Sequence, residues 1–226
     1  GNWKCHGTPD LVESMSKALA EAGELPSNTD VVIAPPAILT GSLQAGLRKD
    51  IHIAAQNIHT VEGFGAFTGE LSAAMVASFG LKWTLVGHSE RRALFGETNE
   101  DVLAKTQLAL AQGLTVVLCI GETLEQREAG KTMEIVTAQC AAVVDGIDTA
   151  SWSNIVVAYE PVWAIGTGKV ATAEQAQEVH AGLRGWFQDK LGVETAAGLR
   201  IVYGGSVKAA NCEGLIAQPD IDGFLV

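Results

Sequence analysis

The chain reads as an α/β protein of a single domain, a closed (β/α)8 barrel of parallel strands. Three observations carry that expectation. Apolar runs and amphipathic stretches alternate from end to end without a linker, the runs number eight, and the informative polar residues stand just after several different runs. A strand covered by helices on both faces is apolar throughout. Eight such strands, each followed by a helix, close most naturally into a barrel. An open doubly wound sheet is the competing architecture, but no Gly-x-Gly-x-x-Gly turn follows an early run.

The strand-like runs, in order, are Asn2 to Lys4, Asp30 to Ala34, Ile51 to Ala55, Trp83 to Gly87, Leu114 to Cys119, Ile155 to Tyr159, Leu199 to Tyr203 and Ile221 to Val226. Between them lie helix-length segments with polar and apolar faces, such as Leu11 to Ala22, Val102 to Gln112, Thr132 to Val144 and Thr172 to Leu191. Thr172 with Gln175 three residues on forms a capping-box pattern that starts the last of these.

Composition bounds the function. With 226 residues, 47% of them hydrophobic and 18% charged, one large core is available. No apolar stretch approaches the ~20 residues of a membrane span, and no signal-like N-terminal segment is present, so a cytoplasmic protein is expected. Cys5, Cys119, Cys140 and Cys212 lack paired spacing and read as free thiols, with no zinc site or disulfide framework. A net charge of −11 argues against nucleic acid and anionic membranes as partners. An anionic substrate would then need local positive potential.

The most informative segment is Ala158 to Ala171. Glu160 stands at the C-terminal end of an apolar run, Pro161 blocks the ladder, and Trp163 and Ile165 precede Gly166, Thr167 and Gly168, the composition of a loop that closes over something. A carboxylate shut away from water binds a proton more tightly and is suited to proton abstraction. A strand-end glutamate that caps the next helix is the plainer alternative. Asn2 and Lys4, two apart in a strand, share a side and can face the barrel mouth; taken alone, Lys4 reads as a surface lysine. His88 ends a run and precedes Ser89-Glu-Arg-Arg92, a helix opening, whose positive dipole end disfavours an imidazolium. The other histidines, His6, His52, His59 and His180, read as surface or loop residues without metal-ligand spacing. Arg91 and Arg92 read as structural ion-pair partners.

Together, Gly1-Asn-Trp-Lys4, Gly65-Ala-Phe-Thr-Gly-Glu70, Val86-Gly-His-Ser-Glu-Arg-Arg92, Glu160 with its loop, Tyr203-Gly-Gly-Ser206 and Ala217 to Gly223 resemble the signatures of the triosephosphate isomerases, in the same order, from Gly1 to Val226. The resemblance implies a TIM barrel in which Glu160 abstracts a proton, His88 donates to the carbonyl oxygen, Lys4 stabilises negative charge and Asn2 is its hydrogen-bonding neighbour. It implies a supporting role for Glu90 and a packing role for Cys119 behind the glutamate. Gly166 and Ser206 become phosphate-binding positions, and the lid comprises Pro161, Val162, Trp163, Ala164, Ile165, Gly166, Thr167, Gly168 and Lys169. The substrate implied is a triose phosphate, with no metal or organic cofactor, in the interconversion of dihydroxyacetone phosphate and D-glyceraldehyde 3-phosphate in glycolysis and gluconeogenesis.

In that family the loop Gln56 to Glu70 inserts into a neighbouring subunit, so a homodimer is expected, with Thr68 as the protrusion. The family's chains extend further at both ends. The sequence is accordingly read as lacking the start of strand 1 and the final helix with its phosphate-binding Gly-Gly turn. His6 stands where the family more often has asparagine, which bears on the subunit contact. A catalytically dead homologue would be expected to lose Glu160, His88 or Lys4, and all three are present. A barrel enzyme for a sugar or indole phosphate would need other strand-end residues.

Overall fold

The structure is a computed structural model that describes residues 1–165 and 171–226. Six strands, β1 (Val31–Ile33), β2 (Ile51–Ala55), β3 (Trp83–Val86), β4 (Thr115–Ile120), β5 (Ile155–Tyr159) and β6 (Arg200–Tyr203), form one parallel sheet in sequence order. Helices cover its outer side, among them Pro9–Glu21, Asn99–Ala111, Thr132–Gly146 and Ala173–Leu191. The expected box is in place at the last: Thr172 Oγ1 accepts from the Gln175 amide at 3.2 Å, and Gln175 Oε1 from the Thr172 amide at 3.0 Å.

The first and last expected strands are shorter than their runs. Each is a single parallel bridge, Asn2 to Ala34 and Tyr203 to Phe224. They nevertheless join the sheet's two edges, because the Asn2 amide donates to Val226 O at 2.6 Å. The hydrogen-bonded ring thus passes through eight staves, six extended and two of one bridge. The first ends early because Lys4 turns away at φ 51°, backbone that a strand does not use.

Strand residues alternate between two apolar layers. Ile155, Val157 and Tyr159 of β5 pack outward against the helices, with Val116, Leu118 and Ile120 of β4. Val156 and Ala158 point inward with Trp83, Leu85, Val117, Cys119, Ala34 and Ala54. Bulky Trp83 lies at the N-terminal end of the ring, whereas small Ala34, Cys119 and Ala158 lie toward the C-terminal end, so the barrel is filled below and open above. That mouth is where residues just after the strands can meet.

Candidate active site

The β5 alternation carries one step further to Glu160, whose amide still donates to Ile120 O at 2.7 Å and whose side chain therefore enters the mouth. Two glycines make room for it. A Cβ on Gly121 would lie 1.8 Å from Glu160 O, and one on Gly204 would lie 2.8 Å from Glu160 Cγ, so neither position tolerates a side chain without movement.

His88 is the N-cap of helix Ser89–Phe95, with its Nδ1 accepting from the Glu90 amide at 3.2 Å. A ring nitrogen that accepts carries no hydrogen, so in the neutral ring the proton sits on Nε2. That nitrogen is 3.0 Å from Glu160 Oε1, while the Ser89 amide reaches Glu160 Oε2 at 3.3 Å. Both side chains are buried, His88 at 5% and Glu160 at 2% exposure, so the contact is shielded from water. The helix behind His88 is held by Arg92, which donates to Gly87 O at 2.8 Å and to Asn99 Oδ1 at 2.7 Å, and by Arg91, paired with Glu97 at 2.6 Å. Arg91 is the structural ion-pair partner expected of it; Arg92 works through a carbonyl and an amide instead. Lys105, itself buried, also pairs with Glu97. Burial opposes the ionised form of Glu97, yet hydrogen bonds and charge from Lys105 and Arg91 hold its carboxyl below the usual range.

Lys4 reaches the same mouth by a route that strand alternation does not describe. Its positive φ is one that a lysine adopts only when the surroundings hold it there. Asn2 Oδ1 accepts from the Lys4 amide at 2.9 Å, and Gln56 Nε2 lies within 3.2 Å of Asn2 Oδ1, Lys4 O and Ala34 O. Lys4 Nζ pairs with Glu90 Oε1 at 2.8 Å, and Glu90 Oε2 stands 3.7 Å from His88 Nδ1. Burial pushes the Glu90 carboxyl upward, but the Lys4 hydrogen bond and charge, then His88, outweigh it and leave it below the ordinary value. Cys119 is fully buried in the inner layer, and burial followed by the nearby Glu160 charge pushes its thiol well above the usual range. It packs, and does not ionise.

A cavity of about 210 Å³ joins Asn2, Lys4, His88, Glu160, Ile165 and the segment Gly204–Lys208. Ser206 Oγ donates to Ala164 O at 2.7 Å, tying that segment to the residues after Glu160. Of the expected lid, Val162, Trp163 and Ala164 form a short 3-10 turn after Pro161, and Ile165 lines the cavity. Gly166, Thr167, Gly168 and Lys169 lie outside the described residues. Thr68 is exposed in a surface loop with Phe64 and Phe67 and does not line this cavity. No cluster of metal-ligating side chains occurs among the described residues.

Two groups carry no signal in the sequence, and a third lies elsewhere than expected. Gln56 holds the Asn2–Lys4 turn. Glu122, fully buried two residues after β4, accepts at Oε1 from Trp163 Nε1 at 2.9 Å and Tyr159 OH at 3.1 Å, with Arg127 and Thr132 each at 3.4 Å. His180, expected at the surface, is instead fully buried with Nδ1 3.1 Å from Asp220 O. Its signal was there to be read, because Ala176, Val179, His180, Leu183 and Phe187 form one buried stripe at helical spacing.

Strand-end acid, imidazole and amine around one cavity at the C-terminal mouth define an α/β-barrel enzyme. The family model described as triosephosphate isomerase matches residues 1–226. The cytosolic triosephosphate isomerase of Oryza sativa subsp. japonica is 54% identical, the alignment covering 100% of this chain and 88% of that protein. The chloroplastic triosephosphate isomerase of Secale cereale is 50% identical, over 100% and 74%. The triosephosphate isomerase of Paracoccidioides lutzii is 50% identical, over 100% and 90%. This chain belongs to the triosephosphate isomerase family, and it is an isomerase.

Proposed function

We propose that this isomerase interconverts dihydroxyacetone phosphate and D-glyceraldehyde 3-phosphate, with Glu160 as the base and His88 as the proton donor to oxygen. The observation that supports this is the buried 3.0 Å contact between Glu160 Oε1 and His88 Nε2. At that distance no substrate atom fits between them, so a bound triose must separate the pair and replace one hydrogen bond with two. The carboxylate is then left facing the carbon beside the carbonyl, and the Nε2 hydrogen faces the carbonyl oxygen. Glu160 takes the carbon-bound proton as the carbonyl π electrons move onto oxygen, where His88 donates. Return of a proton to the neighbouring carbon, with the two oxygens exchanging one through His88, completes the isomerisation.

Lys4 supplies positive charge next to the developing oxyanion, and Asn2 holds the turn that presents it. Glu90 steadies Lys4. The Ser206 segment receives the phosphate, with Gly166 assigned the same role on the lid side. Pro161 to Ile165, anchored through Trp163 to Glu122, open the cover that excludes water and with it loss of phosphate from the intermediate.

The same reading takes the 226 residues as one barrel domain working in the cytosol, as the name of the rice relative says of that protein. It also takes two copies to pair through the loop that bears Thr68, where Phe64 is 77% and Phe67 44% exposed. Purified protein supplied with D-glyceraldehyde 3-phosphate, glycerol-3-phosphate dehydrogenase and NADH should oxidise NADH. No oxidation above the enzyme-free rate would sink the reading. Sedimentation velocity tests the pairing, and a monomer at micromolar concentration would reject it.

A further inference from the structure

We propose that Lys208 is a positioning residue for the anionic end of the substrate, setting the preference for a phosphorylated triose over an unphosphorylated one. This rests on the reaction proposed above. Lys208 lines the same cavity as Glu160 and His88, beside Ser206 and Val207, and is exposed. Its backbone is pinned on both sides. The Lys208 amide donates to Asn211 Oδ1 at 2.7 Å, and the amides of Asn211 and Cys212 both donate to Lys208 O at 3.0 Å. Asn211 Nδ2 in turn donates to Ser206 O at 2.9 Å, so the stretch that carries Ser206 and Lys208 moves as one turn. The root of the lysine is fixed relative to the cavity while its amine is left to reach.

Charge decides what the amine is for. Among the described residues three charged side chains line the cavity: Lys4, Glu160 and Lys208. Lys4 is already committed to Glu90 at 2.8 Å. Without Lys208 the mouth would present the uncancelled charge of Glu160, in a chain of net charge −11, to an incoming dianion. Among the described residues Lys208 makes no ion pair with a carboxylate. A cation at the rim both raises the local concentration of an anion and turns its charged end toward the Ser206 side. The reacting carbons are thereby directed to the Glu160 side.

Lys208→Gln, Lys208→Glu and Lys208→Arg separate charge from structure, because the pinning hydrogen bonds use backbone atoms and survive all three. At about 10 mM salt, kcat/KM for D-glyceraldehyde 3-phosphate should fall about threefold in Lys208→Gln and about tenfold in Lys208→Glu, with the loss in KM rather than kcat. Lys208→Arg should restore it. Above about 0.3 M salt the variants should converge, as screening shortens the reach of the charge. Turnover of unphosphorylated D-glyceraldehyde should be the same in all four proteins, and binding of inorganic phosphate by calorimetry should weaken in the order of lost charge. Equal losses on both substrates, or a loss that salt does not erase, would make Lys208 structural and overturn the proposal, as would no loss at all. If the parent isomerises neither substrate, the reaction assignment fails, and phosphate calorimetry across the same series still decides the role of Lys208.

Discussion

Glu160 and Glu122 are both buried carboxylates placed just past the ends of neighbouring strands, yet their surroundings assign them opposite work. Glu122 points outward into the layer between sheet and helices, where its Oε1 gathers a phenol, an indole, a guanidinium and a hydroxyl. Burial, followed by the Glu122 charge, pushes the Tyr159 phenol far upward, so that tyrosine remains a donor at any ordinary pH. Glu160 points inward and, among the described residues, hydrogen-bonds one imidazole and one backbone amide, beside open space. A carboxylate ringed by donors is an anchor, because moving it breaks several hydrogen bonds at once. One with few partners and a cavity in front of it can exchange them for a substrate. Burial alone does not mark a reactive acid; the number of donors around it separates the two.

The sharpest way to break this contrast is to shorten Glu160. Glu160→Asp withdraws the carboxylate by one methylene from a reaction that depends on contact, and kcat should fall by about 100-fold or more while the fold is kept. Turnover within a factor of two of the parent would remove Glu160 as the base. His88→Gln should follow closely, lowering kcat by about 100-fold with little change in KM, since the Nε2 hydrogen serves charge that develops during reaction. A rise in KM alone would make His88 a binding group.

Glu122→Gln probes the other half of the comparison and should act differently. Its donors lose a charged acceptor, each such hydrogen bond being worth about 1.5–3 kcal/mol against about 1 for a neutral one, so a net loss of about 1–2 kcal/mol is expected. For a chain of this size that lowers Tm by roughly 2–8 °C. Activity should fall less than in Glu160→Asp, because Glu122 does not line the cavity and its carboxylate acts on it through Trp163 and Tyr159. If Glu122→Gln were as inactive as Glu160→Asp at full stability, the anchor assignment would fail.

Legibility in the sequence follows the same division. Six strands could be read within a residue or so at each end, because central parallel strands are continuous apolar runs between turn residues. Asn2–Lys4 and Ile221–Val226 could not be read as strands of one bridge, since their brevity comes from the Lys4 turn and from closure between residues more than two hundred apart. Lys4 arrived where expected for another reason than the one expected. Strand alternation does not aim it; a positive φ held by Asn2 and Gln56 does. Glu160, His88 and Ser206 stand beside short, recognisable patterns and could be found. Gln56 and Glu122 stand in none, and their importance depends on which distant groups the fold brings to them.

His180 offers the finest test, because it is a buried polar group that neither the chemistry nor the anchor uses. Its Nδ1 hydrogen is directed at Asp220 O, its Nε2 has no hydrogen-bond partner among the described residues, and its ring lies edge-on to Tyr159 at 5.8 Å and 6.3 Å from Tyr203. Burial lowers its pKa from 6.5 to about 4, against the opposing pull of the Asp220 carbonyl and the charges of Asp222 and Asp220, with Arg184 adding to the lowering. The unfolded chain therefore takes up a proton near pH 6.5 that the folded chain refuses until about pH 4. Stability from this group is present above pH 6.5 and is lost as pH falls toward 4, where both states become protonated. Between pH 7 and pH 5 the loss should be about 2 kcal/mol. His180→Asn keeps an N–H donor for Asp220 O and removes the titrating ring. The variant should be less stable than the parent at pH 7 because of the space it leaves, yet its stability should decline less steeply toward pH 5. Urea unfolding at both pH values, compared through midpoints at constant m, reads the difference directly. Parallel declines in the two proteins would show that His180 is not the source of the acid sensitivity, and would shift attention to Glu90 and Glu97, whose lowered carboxyls lose their contribution at lower pH.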